Sequence, residues 1–443
     1  MNLPAVRTRI RNATPARNDA SSIGRSAVVA ALALTVALPA ARAQDTARAR
    51  VDSLAARVER AEERIKFLEQ QLATESQSSV HTRSRMALEF RGRVLVNAFT
   101  NSRRVNSTGN PQFVRADDAT DPDPRGIAMH LRQTMLGFAV TAKHVAGGDF
   151  LGDIDVDFHG GQLPSTGGRN FPVVRLRTAR AIVMWSRAEL LMGQDAPLVA
   201  GINPVSLAAL ATPEFAAAGN LWLWLPQVRG TVELGGPLHA AIQGAVLAPT
   251  SATPVGSFDI PDFDAAERSK RPFFEGRARI RWGHDETAGE IGVGGHIGWF
   301  ASSPDTVTTG RLAAFDAIVP FSSWLELRAE AYNGAGARGL GGGAIGQLFG
   351  LDAKLIRSRG GWAQLNARPS PAFVFGAGYG VDDPRDADMA ATARLKNDAM
   401  SVHAEWRPAG PLVFGAEVRR LRTWYETRRY ANDHINLAFG FEF

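Results

Sequence analysis

Charge in this chain is laid out in rows that alternate with apolar residues. Glu275, Arg277, Arg279 and Arg281 alternate with Phe274, Ala278, Ile280 and Trp282. Asp149, Asp153, Asp155 and Asp157 alternate with Phe150, Ile154, Val156 and Phe158. Glu89, Arg91, Arg93 and Asn97 do so with Phe90, Val94, Val96 and Ala98, and Glu326, Arg328, Glu330 and Tyr332 with Leu325, Leu327, Ala329 and Ala331. Rows of this kind have two uses. Opposite charges on adjacent strands pair and stiffen a wall. Rows left unpaired face water, where opposed ladders orient solutes and an arginine cluster selects anions. The candidate basic lining is Arg91, Arg93, Arg132, Arg175, Arg177, Arg277, Arg279, Arg281, Arg328 and Arg419. The candidate acidic lining is Asp153, Asp155, Asp157, Glu275, Glu326, Glu330 and Glu417, with Glu89 and Glu405 beside them. The Glu275–Arg281 row, with three arginines to one glutamate, is the expected anion-selecting cluster.

Other chemistry is thin. There is no cysteine, so disulfides and thiolate sites are excluded. The acidic loops Asp117, Asp118, Asp121, Asp123 and Asp382, Asp383, Asp386, Asp388 match no EF-hand spacing and read as solvated. Gly341–Gly346 satisfies G-x-G-x-x-G but follows no parallel strand and opens no helix. No Ser/His/acid group can be assigned, so the chain reads as a non-enzyme without a cofactor.

Charged rows at period two need strands to carry them. Sixteen are expected, near 86–99, 127–141, 149–159, 173–185, 187–195, 219–233, 237–249, 272–283, 288–300, 308–319, 322–333, 360–368, 371–381, 396–407, 411–425 and 432–443. Long and short connections alternate. An apolar face backing a charged one, over strands long enough to cross a bilayer, predicts an all-β, 16-stranded antiparallel transmembrane barrel. A charge at mid-depth on the lipid face would cost about 2–4 kcal/mol, so the charged rows belong in a wet lumen. The final strand shows the pattern best, with Ile435, Leu437, Phe439, Phe441 and Phe443 on one face. Phe439, Phe441 and Phe443 resemble the C-terminal assembly signal of bacterial outer-membrane barrels.

One connection breaks the rule that loops are polar. Residues 196–219 carry Leu198, Val199, Ile202, Val205, Leu207, Leu210 and Phe215. It is expected either to fold into the lumen as a constriction, with Asp195, Asn203, Ser206 and Glu214 lining an eyelet, or to cap a contact between subunits.

Residues 1–43 read as a signal peptide, with an apolar core at 27–38 and Ala41-Arg42-Ala43 before the cut. They hold six arginines and one acid, so removing them takes the net charge from +6 to about +1 and removes the case for nucleic-acid binding. Residues 44–80 read as a periplasmic coiled-coil helix with Val51, Leu54, Val58, Ala61, Ile65, Leu68 and Leu72 at its seam, or as a lone amphipathic helix. The barrel is then 81–443.

The order of these parts resembles the phosphate-selective-porin superfamily of Gram-negative outer membranes, and within it the DcaP-like trimeric porins. Four local stretches carry the likeness: Arg132-Gln133-Thr134 with Leu136-Gly137-Phe138, Leu191-Met192-Gly193-Gln194, Pro226-Gln227-Val228-Arg229, and residues 357–365, Arg-Ser-Arg-Gly-Gly-Trp-Ala-Gln-Leu. The resemblance implies a homotrimer set in outer-membrane lipid and lipopolysaccharide, passing small, often anionic, solutes. This chain lacks the lysine ladder of phosphate-selective members, so small organic anions are the expected solutes. The competing readings are a closed structural barrel with a coiled-coil envelope tether, and an outer-membrane enzyme such as a lipase.

Overall fold

The computed structural model describes residues 80–81, 87–117, 123, 125–161, 171–236, 238–253, 262–284 and 287–443. The expected signal peptide and coiled-coil seam (Val51 to Leu72), Asp118 and Asp121 lie outside the described residues.

The wall is a single sheet closed on itself. Its strands are β1 (Ala87–Asn101), β2 (Ile127–His130, resuming as Met135–Val145), β3 (Gly148–Asp157), β4 (Arg175–Met184), β5 (Ala188–Asp195), β6 (Leu225–Gly235), β7 (Ala240–Leu247) and β8 (Phe273–Trp282). The second half is β9 (Gly289–Ser303), β10 (Thr306–Ser322), β11 (Leu325–Ala335), β12 (Arg357–Ser370), β13 (Phe373–Pro384), β14 (Lys396–Trp406), β15 (Leu412–Trp424) and β16 (Arg429–Glu442). Each strand pairs antiparallel with the next, and β16 returns to β1 from His434↔Asn101 to Glu442↔Arg93. Closure leaves no edge to satisfy, which is what permits a sheet to sit in lipid. No helix among the described residues is long and apolar enough to cross a membrane.

Alternation sets the two faces. On β16, Ile435, Leu437, Phe439 and Phe441 are exposed while Asn432, His434 and Asn436 are buried. On β8, Phe274 and Ala278 point out and Glu275, Arg277 and Arg279 point in. The charged rows therefore lie inside and the aromatic and aliphatic rows outside. Phe443 closes the seam by exchanging backbone bonds with Gly92 at 2.8 and 3.0 Å.

Two irregularities matter for the interior. The expected single strand 127–141 is interrupted at 131–134, where the Thr134 hydroxyl accepts from Leu95 N at 3.1 Å in place of a ladder bond. This turns Gln133 fully inward. On β4 the register slips between Asp155↔Thr178 and Val156↔Leu176, so Arg177 bulges out of the ladder. A bulge resets the alternation, and Arg177 and Arg180 both reach inward-facing acids.

Candidate functional site

The interior is organised by the connection from β5 to β6. Gly201 and residues 222–224 are half-buried, and every other residue from Asp195 to Leu225 is buried. A segment lying along one side of an open channel would expose one of its faces. This one exposes neither, so at its depth the barrel of a single chain is filled.

The wall holds the segment largely by its main chain. Gln133 donates to Ala208 O at 2.9 Å and accepts from Ala211 N at 2.7 Å. Gln364 on β12 does the same to one residue, accepting from Val205 N at 2.7 Å and donating to Val205 O at 2.9 Å. Each amide stands in for a missing neighbouring strand. Asn97 donates to Leu207 O (3.2 Å), Arg177 to Leu210 O (2.7 Å), Asn110 to Thr212 O (2.6 Å) and Asn397 to Ala217 O (2.8 Å). Glu275 and Glu330 accept from Leu198 N and Leu221 N at 2.6 and 3.1 Å. At Gly219, with φ 101°, the segment crosses β12 so closely that a Cβ would stand 2.3 Å from the Gly361 oxygen. Phe215 then stacks on Trp362, with ring centroids 6.1 Å apart. Leu198, Val199 and Leu221 pack with Phe273 and Phe300, and Leu207 and Leu210 with Leu95 and Val413.

Of the four polar residues expected at an eyelet, Asp195, Ser206 and Glu214 face the wall, and Asn203 meets another residue of the segment. Asp195 pairs with Arg229 (2.6 Å) and Arg180 (3.2 Å). Ser206 donates to Glu417, Asn203 accepts from Asn220 at 3.3 Å, and Glu214 lies 3.4 Å from Arg419 Nε. A buried carboxylate without a partner is costly, so these groups turn to the counter-charges the wall offers.

The arginines of β8 are not the open cluster expected of them. Arg277 pairs with Asp316 and, at 2.7 Å, with Glu290; Arg279 meets Glu233 at 2.9 Å, and Arg281 meets Glu290. Asp316 and Glu290 come from the two strands that follow. The rest of the ladder behaves alike. Arg91 pairs with Asp155 at 2.9 Å, Arg93 with Glu442, Arg175 and Arg177 with Asp157 at 2.7 and 3.0 Å, and Arg328 with Glu326 at 2.8 Å. Arg180 meets Asp153 at 2.5 Å. Arg132 reaches Phe158 O at 3.5 Å, and Arg419 pairs with Glu417. Arg175 and Arg177 also lie 5.2 and 4.3 Å from the Trp224 ring. Among the described residues the charged rows of the lumen thus form a network of ion pairs, most of them between strands, around a packed segment.

Of the acidic loops, Asp117 pairs with Arg103 and Asp123 with Arg125. Asp383 pairs with Arg359, Asp388 with Arg357, and Asp382 accepts from Ser358.

Glu214 is the least comfortable group. Burial first, then the charge of Glu417, push its carboxyl up to about 8, against the pull of Arg419. A carboxyl whose folded value is raised stabilises the docked segment fully below its ordinary value of 4.5 and loses that contribution as pH rises through about 8. Ionisation then places a second anion beside Glu417 with Arg419 to share. Current through the barrel in a planar bilayer should therefore rise as pH climbs from about 4.5 to about 8 and level off above that, by about tenfold for each 1.4 kcal/mol by which ionisation loosens the segment. Glu214→Gln should flatten the profile. An unchanged step in that variant would assign the titration elsewhere.

No family model and no curated protein matches the chain. Solved structures do. The outer membrane channel DcaP of Acinetobacter baumannii superposes with a TM-score of 0.64 at 16% identity, covering 83% of this chain and 100% of that one. An anion-selective porin from Comamonas acidovorans gives 0.52 at 11% identity, covering 81% and 100%. Salmonella typhi OmpF, solved in complex with daunomycin, gives 0.52 at 8%, covering 82% and 100%. The sixteen-strand porin fold is common to all of them.

Proposed function

We propose that this chain, a barrel of the porin fold, is an outer-membrane channel that passes small hydrophilic solutes with a preference for small organic anions, and that the β5–β6 segment governs passage. The observation that carries this is the segment itself. A barrel that served only as a wall needs no long insertion clamped by side chains projecting from the wall on many sides. The exposed apolar belt, from Phe90 on β1 to Phe441 on β16, fits lipid contact. The anion preference is supported by two arginines of the loops, Arg338 and Arg394, that meet no carboxylate among the described residues, and not by the paired arginines of β8. Assembly as a trimer, and a coiled coil in the periplasm, belong to the same reading.

The filled cross-section favours a second reading, a closed structural barrel. The reversal potential in a planar bilayer under a salt gradient separates the two. Anion-selective current supports the channel. Cation-selective current would remove the organic-anion preference, and no current at pH 6 to 9 would leave the structural barrel.

A further inference from the structure

The two sides of the β5–β6 segment meet the wall differently. One side is sealed by packing: Leu198, Val199 and Leu221 lie in one buried apolar cluster with Phe273 of β8, Phe300 of β9, and Leu312 and Ala314 of β10. On the other side a polar row crosses five strands in register. Asn366 on β12 stands opposite Gly376 on β13, and Gly376 opposite His403 on β14. His403 stands opposite Glu417 on β15, and Glu417 opposite Asn436 on β16. Asn366, His403, Glu417 and Asn436 are all buried, and so is Glu405, the next inward residue of β14.

Much of the hydrogen-bonding capacity of this row meets no protein group. Both amide atoms of Asn366, both ring nitrogens of His403, Glu405 Oε1 and Asn436 Nδ2 are buried without a hydrogen-bond partner among the described residues. The other atoms are taken. Glu405 Oε2 accepts from Arg407 at 2.8 Å, Asn436 Oδ1 from Asn97 at 2.9 Å, and Glu417 from Ser206 and Arg419. Gly376 lets two of the partnerless atoms converge: a Cβ there would stand 2.6 Å from His403 Nε2 and 2.8 Å from Asn366 Oδ1. A cavity of about 10 Å³ lies along the row, bordered by His403, Glu405, Glu417 and Asn436 on the wall and by Leu207 and Ala208 on the segment. That is roughly room for one water.

We infer that the segment is wet on its β12–β16 side, and that water and small uncharged hydrogen-bonding solutes pass it there, along Asn366, His403, Glu405 and Asn436. A buried polar atom without a partner is costly, and a water among several such atoms removes the cost. The row offers both kinds of bond. Asn436 Nδ2 donates, Glu405 Oε1 accepts, and Asn366 and a neutral imidazole at His403 do both. Its carboxylates are held by arginines, so the row sorts solutes by size and hydrogen bonding rather than by sign of charge. The path rests on the channel reading and deepens it by choosing one side of the segment.

Silver ion tests the wetting without transport. The chain has no cysteine, so an introduced thiol stands alone and the parent is the blank. Purified full-length His403→Cys and Asn436→Cys in detergent should lose their thiols to silver nitrate at least about tenfold faster than Leu312→Cys and Ala314→Cys on the sealed side. Heat-modifiable gel mobility shows that the four variants are folded barrels. Thiols at positions 403 and 436 that react no faster than those at 312 and 314 overturn the wet row. In liposome swelling, the double variant N366L/H403L, which makes the row apolar and breaks no arginine pair, should slow urea entry by about tenfold. Unchanged entry overturns the path. A chain that conducts while positions 403 and 436 stay unreactive keeps the channel and loses this path; one whose thiols there react fast and that never conducts keeps the wet row and loses the channel.

Discussion

Replacing Arg419 by methionine should release the β5–β6 segment from the wall. Arg419 is buried where three segments meet. It pairs with Glu417 on its own strand, lies 3.4 Å from Glu214 on the segment, and donates to Asn110 and Pro111 in the first outer loop at 3.2 Å each. Removing the cation strands the Glu417 carboxylate in the interior, with the Glu214 carboxyl beside it. Breaking a buried pair by removing one partner costs about 3–5 kcal/mol, because the uncompensated charge remains. The loss should appear as a lower midpoint in chemical unfolding of the purified barrel and as higher conductance in a bilayer. The triple replacement R419M/E214Q/E417Q removes the whole charged set and should recover much of that loss. A single R419M variant as stable as the parent would sink this account of the junction.

The second large effect concerns the segment as a whole. Exchanging residues 201–219 for a short Gly/Ser link should raise conductance several-fold and admit sugars that the parent excludes in a liposome-swelling assay. Strands β5 and β6 can be joined at the same rim, and sixteen strands enclose enough space for water once nothing fills it. The removed stretch includes Leu207, Leu210 and Phe215, so the barrel also loses a packed interior. The wall's arginine–acid pairs remain and keep it closed. Unchanged conductance would mean that ions do not pass this segment.

The wall was legible because lipid outside and charge inside impose one rule on every strand. The short ladder of β16 and the charged rows of β3 and β8 follow it directly. The interior depth of residues 196–219 was legible for the opposite reason, since Leu198, Val199 and Phe215 have no place on an outer loop. What escaped was partnership. Glu290 serves Arg277, Arg279 and Arg281 together, and that depends on the register between β8 and β9 rather than on spacing within β8. Asp316, a lone acid in the apolar run of β10, was the available signal for a buried cation. Arg180 was hidden by the bulge at Arg177, because simple alternation from Arg175 and Arg177 places it on the lipid side.

The glutamine clamps change what variation can do to this protein. Each of the four stretches that resemble known porins contains a glutamine: Gln133 and Gln364 grip the segment itself, Gln227 donates to Asp195 O at 2.9 Å, and Gln194 donates to Arg177 O at 2.9 Å. These contacts read carbonyls and amides, groups that every residue carries. The route of the segment is therefore written in the barrel, while much of its own sequence is small: Ala208, Ala209, Ala211, Ala216, Ala217 and Ala218. A lineage could exchange those alanines to retune what the interior admits without redrawing the route. A single change at Gln133 or Gln364 would move the route and leave the filling intact.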